Sequence, residues 1–271
     1  MSSWQGKRVL VTGATDGIGL LTAKRLAAAG ARVWVHGRQA ARLERALKEV
    51  PGAGAYRADF SSLHEVRTLA ETLLREPPLD LLIHNAALGA GARGAAREVS
   101  ADGFELRWAV NLLAPFALTE WLLAEGVAPR AVVNVASLGQ APLDFADLQL
   151  ERRYDGFQAY MRSKLAMIVW TTELAARRPD LLINSLHPGT FLATKMVAES
   201  GIAPMGTVDS GAVAVVGVSE TTLAGRERGE FFDVQRKSRA LDQAYDVKAQ
   251  QRLRQAALDM LRAAGVPAPG A

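Results

Sequence analysis

Seven short apolar runs, at residues 7–12, 31–36, 54–58, 79–84, 130–136, 181–187 and 229–232, alternate with stretches of helical period near 17–29, 39–49, 61–75, 101–125, 156–177 and 207–223. Few folds satisfy that order. Parallel strands need long crossovers, and right-handed crossovers lay helices on both faces of the sheet. Runs such as LDLLIH at 79–84 and RAVVNVA at 130–136 lack strict polar–apolar alternation, as expected of strands covered on both faces. The expected architecture is α/β, a single-domain doubly wound fold over residues 1–271 with a roughly seven-stranded parallel sheet. Its ligand crevice is expected outside the carboxyl ends of the strands. No internal repeat or linker divides the chain, and a further helix is expected at about 242–264.

Composition removes several functional classes. There is no Cys, which excludes disulfides and thiolate metal sites, and the four His show no metal-ligand spacing. Residues 1–6 run straight into an apolar strand, leaving no room for a signal peptide, and the later apolar runs are too short and interrupted to span a bilayer. A soluble, cytoplasmic protein without a membrane span is expected. The net charge of +4 and pI near 9.6 raise the question of nucleic acid. Between Arg226 and Arg254, however, eight Lys or Arg are interspersed with five acids and lack the interleaved aromatics of a single-strand platform, so no nucleic-acid partner is expected. The 25 Arg against seven Lys suggests the codon bias of a GC-rich bacterium.

Two patterns carry chemistry. Thr12-Gly13-Ala14-Thr15-Asp16-Gly17-Ile18-Gly19 joins the first strand to the first helix. Glycines there permit a tight turn and close backbone approach, and the helix start offers N–H groups and positive dipole to a pyrophosphate. Further along, Tyr160 and Lys164 stand at i, i+4 on one helical face. A cation beside a phenol favours the phenolate and lowers its pKa, making Tyr160 a candidate proton donor and acceptor; the same spacing also describes the wet rim of an amphipathic helix.

The Thr-Gly-x-x-x-Gly-x-Gly turn, with the motifs downstream of it, resembles the short-chain dehydrogenase/reductase family from Lys7 to about Phe232. The resemblance implies a Rossmann fold and cofactor contacts at Gly13, Thr15, Asp16, Gly17, Ile18 and Gly19. After the second strand, where an acid would bind the ribose hydroxyls of NAD, the chain has His36-Gly37-Arg38. A guanidinium can bind a 2′-phosphate that a carboxylate would repel, so NADP(H) is the expected cofactor. Asp59 matches the position that contacts the adenine edge, and Asn85 in Asn85-Ala86-Ala87 a ribose-side contact. Pro188-Gly189 matches the backbone that meets the nicotinamide amide, with Thr190 or Thr194 binding the carboxamide or pyrophosphate; Thr194 lies further along than the simplest pattern expects.

The resemblance also implies the reacting centre. Ser137, ending the fifth strand, and Tyr160 would hydrogen-bond a substrate oxygen. Lys164 would hold the nicotinamide ribose and keep the Tyr160 phenol acidic, and Asn111 would hold a helix kink and a water leading to the lysine. The reaction implied is reversible hydride transfer between NADP(H) and a small-molecule carbonyl or alcohol.

Ser137 and Tyr160 stand 23 residues apart, a long interval that resembles the retinol dehydrogenase and carbonyl reductase branch, whose members often handle bulky or apolar carbonyls. Leu143, Phe145 and Leu148 are expected to line the crevice. Tyr154 cannot replace Tyr160, because Gln158 holds its i+4 position. A substrate lid is expected at about 190–207, with Gly201 and Gly206 permitting motion, and the C-terminal helix would support a homo-oligomer or cover the pocket. Two other functions fit a dinucleotide fold: an NADP(H)-binding regulatory protein without turnover, which the intact Ser137, Tyr160 and Lys164 disfavour, and nucleotide-sugar epimerisation or dehydration, which the shorter chain and glycine spacing disfavour.

Overall fold

The computed structural model describes residues 3–270; Met1, Ser2 and Ala271, which fall within the expected 1–271 domain, lie outside the described residues. The first half alternates β1 (Arg8–Val11), α1 (Gly17–Ala28), β2 (Arg32–Gly37), α2 (Ala40–Glu49), β3 (Gly54–Arg57), α3 (Leu63–Leu74) and β4 (Leu81–His84). After α4 (Leu106–Trp108) and α5 (Ala114–Ala124) come β5 (Ala131–Val135), α6 (Gly156–Arg177) and β6 (Leu182–His187). The chain ends with α7 (Lys195–Glu199), α8 (Val208–Leu223), β7 (Phe231–Asp233), β8 (Arg236–Ser238) and α9 (Val247–Ala263).

All strands join one sheet in the order β3-β2-β1-β4-β5-β6-β7-β8, and the seven expected strands are parallel. The eighth strand was not expected. It is antiparallel to β7 across a turn in which Val234 takes φ +58°, and its Arg-Lys-Ser sequence carries no apolar signal because it forms an exposed edge.

Side chains alternate between two buried layers, which is why the central strands are apolar throughout. Leu10, Leu82 and Val132 face the layer formed with α3, α5, α6 and α9, whereas Val9, Val11, Leu81 and Ile83 face the layer formed with α1, α2 and α8. Strand order reverses between β1 and β4, so the crossovers from these two strands leave in opposite directions and a crevice opens outside their carboxyl ends.

The helix expected over 101–125 starts later and is not uniform. Gly103 at φ +84° turns the chain, the Glu105 carboxylate caps α4 by accepting from Trp108 N (2.7 Å), and a π-turn at Ala109–Leu113 joins α4 to α5. The C-terminal helix is likewise divided: a 3₁₀ turn occupies Asp242–Tyr245 and Asp246 caps α9. The apolar face of α9 is buried against α6, and among the described residues none from 242 to 264 lines the crevice. Among the described residues no helix is long and apolar enough to cross a membrane.

An ion cluster ties three helices of that layer, α5, α6 and α9, together. Arg177 of α6 bonds Glu120 of α5 and, from Nε, Glu173 (2.7 Å), and Arg254 of α9 lies 3.8 Å from Glu173. Burial pushes the Glu120 carboxyl up, with Arg177 opposing it. Removing the cation would strand a buried carboxylate, so Arg177→Met should cost about 3 kcal/mol in urea unfolding. Adding Glu120→Gln should recover at least half of the loss; full additivity of the two substitutions would show that the pair does not couple.

Candidate active site

The first turn is built to bring backbone close to a ligand. Gly13 takes φ +63°, and a Cβ there would lie 2.6 Å from Ala86 Cα, so nothing larger than Gly fits between the β1 and β4 loops. Thr12 Oγ1 accepts from Asn85 N (3.0 Å) and Ala86 N (3.1 Å), and Asn85 Nδ2 donates to Thr12 O (2.9 Å) and Gly13 O (3.1 Å). Asn85 is therefore the pin between the two loops. At the start of α1, Asp16 caps Gly17 N (2.7 Å) and its carbonyl takes Leu20 N, while Ile18 and Gly19 line the crevice at the helix end, where N–H groups lack intrahelical partners. A close-packed glycine turn with helix-start donors fits a dinucleotide pyrophosphate.

His36 is a site residue that sequence reasoning passed over. It is buried; its carbonyl accepts from Ala14 N (2.9 Å), its Nδ1 from Gly13 N (3.3 Å), and its Nε2 lies 3.1 Å from Ala58 O. Nε2 must then donate, which fixes the neutral tautomer, and burial draws the ring's pKa down to about 4. Only its burial at a strand end reveals this role, and burial of a polar residue is not written in local sequence. Outside it, Arg38 reaches the crevice rim 3.8 Å from Asp59, whose other oxygen accepts from Ser61 N and Oγ. Arg42, in the first turn of α2, also lines this rim.

At the other end of the crevice, Ser137, Tyr160 and Lys164 come together. Ser137 stands two residues beyond β5, where its Oγ accepts from Gly139 N (3.0 Å) and hydrogen-bonds the Tyr160 phenol. Asp155 caps α6 by accepting from Gln158 N (2.8 Å), which sets Tyr160 in the second turn and Lys164 in the third. Lys164 Nζ donates to Val135 O (2.8 Å) and lies 5.8 Å from the Tyr160 ring centre. The acidic phenol expected from the pair is not what this arrangement gives. Burial raises Tyr160, the Ser137 hydrogen bond only partly opposes it, and burial also draws Lys164 down to about 7.

Asn111, expected beside Lys164, does not line the crevice. It sits inside the π-turn, where its amide donates to Leu88 O (3.0 Å) and Ser163 Oγ (2.9 Å) and accepts from Leu88 N (2.8 Å); Ser163 in turn donates to Tyr160 O (2.7 Å). It holds the crevice wall and the tyrosine helix rather than touching Lys164.

Pro188, Gly189, Thr190 and Thr194 all line the crevice. Phe191 takes φ +43°, in the left-handed region, and Thr194 caps α7 by accepting from Val197 N (3.3 Å). At Gly206 a Cβ would lie 2.8 Å from the Leu192 side chain. The loop expected to line the crevice is also placed differently. Leu143 is buried in the core, Phe145 and Leu148 pack against that core, and Gln243 holds Leu143 N (2.6 Å) and O (3.0 Å). The apolar lining comes instead from Leu138, Phe157, Met161, Met196, Val197 and Ile202, around a space of ≈ 610 Å³.

Fold and crevice together define an α/β dinucleotide-binding protein. Residues 7–203 match the short chain dehydrogenase family, an oxidoreductase family, and the chain belongs to it; solved members hold NADH or NADP. It is 42% identical over 193 residues, 68% of this chain and 66% of the relative, to the Streptomyces sp. (strain C5) protein named "Putative daunorubicin C-13 ketoreductase DnrU". It is 36% identical over 198 residues, 68% of this chain and 58% of the relative, to Retinol dehydrogenase 13 of Mus musculus. The chain thus spans less than two thirds of either relative's length. A crystal structure of a Mycobacterium paratuberculosis protein superposes with a TM-score of 0.78 at 26% identity, over 99% of this chain and 97% of that one.

Lys164 supplies a test of the site's electrostatics. Its folded pKa of about 7 lies below the ordinary 10.5, so both folded and unfolded chains carry the charge below 7, and the cost of burying it is greatest there. That cost fades as pH rises from about 7 to 10.5. Lys164→Met should therefore raise the Tm of the protein without cofactor at neutral pH, and the gain should shrink steadily toward pH 10; a gain that is flat or grows with pH would contradict the buried ammonium.

Proposed function

We propose that the chain is an NADP(H)-dependent oxidoreductase that interconverts a bulky or apolar aldehyde or ketone and its alcohol. The observation that carries this reading is the convergence of the Ser137 hydroxyl, the Tyr160 phenol and the buried Lys164 amine on one crevice continuous with the Gly13–Gly19 turn. Gly13, Thr15, Asp16, Gly17, Ile18 and Gly19 would hold the pyrophosphate end, Asn85, Tyr160 and Lys164 the ribose, and Pro188, Gly189, Thr190 and Thr194 the carboxamide end. Bound nicotinamide supplies or accepts the hydride.

The chain's own groups do the rest. Ser137 and Tyr160 hydrogen-bond the carbonyl oxygen and stabilise the negative charge that develops on it. Tyr160 passes its proton to that oxygen during reduction and recovers it during oxidation. A protonated Lys164 beside the phenol stabilises the phenolate left behind, offsetting the burial that otherwise disfavours it. Asn111 keeps the wall and α6 in register.

NADP(H) is favoured by Arg38 and Arg42 at the rim. The carboxylate nearest Arg38 is Asp59, at 3.8 Å in an exposed pair worth little, which a 2′-phosphate could displace. The apolar lining favours a bulky substrate, in keeping with the ketoreductase and retinol dehydrogenase names of its relatives. A single fold of residues 1–271 acting in the cytoplasm, with a lid at about 190–207, completes the reading.

The test is oxidation of NADPH against a panel of aldehydes, ketones and quinones. Tyr160→Phe should lower kcat by about 10²–10⁴-fold and Ser137→Ala by about 10²–10³-fold, with NADPH still bound. Cofactor binding without turnover, unchanged by Tyr160→Phe, would leave a regulatory protein instead. Arg38→Asp should weaken NADPH binding about 10–100-fold and NADH binding little; equal losses for both would refute the phosphate contact.

A further inference from the structure

Three consecutive carbonyls on one wall of the crevice, those of Leu88, Gly89 and Ala90, are held by two side chains at i, i+4 across the π-turn. Asn111 takes Leu88 O; Arg107 takes the next two, donating from Nε to Gly89 O (3.0 Å) and from Nη2 to Ala90 O (3.3 Å). The Arg107 side chain is only 4% exposed, which is costly for a guanidinium unless every donor is used. Its remaining face meets Glu105 and Glu98, each at 3.5 Å, and lies 6.0 Å from the Tyr154 ring.

This guanidinium also reaches the helix that bears the tyrosine. Tyr154 donates to Glu105 Oε1 (3.3 Å), and the Ala90 carbonyl that Arg107 holds lies against Gly156, the first residue of α6, where a Cβ would have no room. Glu105 N in turn donates to Gln149 Oε1 (2.7 Å), within the long segment before Tyr160. The opposite side of the wall touches the 190–207 segment, since Gly89 lies against Met196.

We propose that Arg107 is a positioning residue that sets the shape of the substrate half of the crevice, by clamping the 88–90 wall to the inserted segment and to the first turn of α6. Asn111 fixes Tyr160 one turn later through Ser163; Arg107 fixes where that helix begins. The apolar side chains that surround a bulky carbonyl, Phe157 and Met161 on α6 and Met196 across from Gly89, are all placed by elements this clamp joins. The clamp makes no contact with the Gly13–Gly19 turn, so it acts on the substrate and not on the cofactor.

The inference rests on the oxidoreductase reading for its kinetic part and on geometry alone for the clamp. Arg107→Met would leave Glu105 buried and unpaired, so the test uses the neutral pair Arg107→Met/Glu105→Gln beside the milder Tyr154→Phe. Hydrogen exchange followed by mass spectrometry should show about tenfold faster exchange across 86–91 and 156–160 in the pair, the Tyr154→Phe effect being smaller and in the same direction. With NADPH affinity within about twofold of the parent, kcat/KM should fall about tenfold more for a bulky ketone than for a small aldehyde. Unchanged exchange would overturn the clamp, and equal losses for both substrates, or a parallel loss of NADPH affinity, would overturn its role in substrate selection. A parent protein inactive toward every carbonyl would overturn the oxidoreductase reading, and the exchange data would still decide the clamp.

Discussion

The rest of the molecule depends on the contact between the loop after β1 and the loop after β4. Gly13 meets Ala86 with no space for a side chain, and four hydrogen bonds cross the joint from Asn85 and Ala86 to Thr12 and Gly13. Because strand order reverses at this point, crossovers leave in opposite directions and no helix covers the gap. The joint closes the bottom of that gap with backbone, holding the start of α1 on one side and the crevice wall on the other. His36 braces it from β2 and Asn111 from the π-turn, so both halves of the crevice are fixed to a single seam.

Around the seam, polar groups are buried where an apolar core would have been more stable. Lys164 Nζ donates to the Val135 carbonyl, yet burial draws its pKa down to about 7, and Tyr160 is raised by its own burial. Each shift runs against the charged form of its group. Such sites trade stability for chemistry, and the ion cluster of Arg177, Glu120 and Glu173 on the far side of α6 helps hold the helix that carries them.

Most of the fold was legible because burial on both faces imposes a continuous apolar run on every central strand. β8 was not, since an exposed edge of Arg, Lys and Ser obeys no such rule. The crevice residues Ser137, Tyr160, Lys164 and those of the glycine turn were legible because each sits at a fixed offset from a strand or helix end. Leu143, Phe145 and Leu148 were misplaced for the opposite reason: an apolar residue in a long loop points toward whichever surface the loop finds, and here Gln243 and the core took it. Arg107 gave no signal at all, its partners lying 17 and 18 residues away along the chain.

By itself, then, the sequence determined the alternation of strands and helices, the turn that suits a pyrophosphate, and the tyrosine–lysine spacing, all of them local patterns read over a few residues. Only the tertiary structure decided that His36 is a neutral brace, that Phe191 takes a left-handed backbone, and that Arg107 joins the crevice wall to α6. Those features depend on which distant backbone groups meet a side chain in a water-poor interior, where an unpaired donor or charge is costly and each partner must be found across the fold.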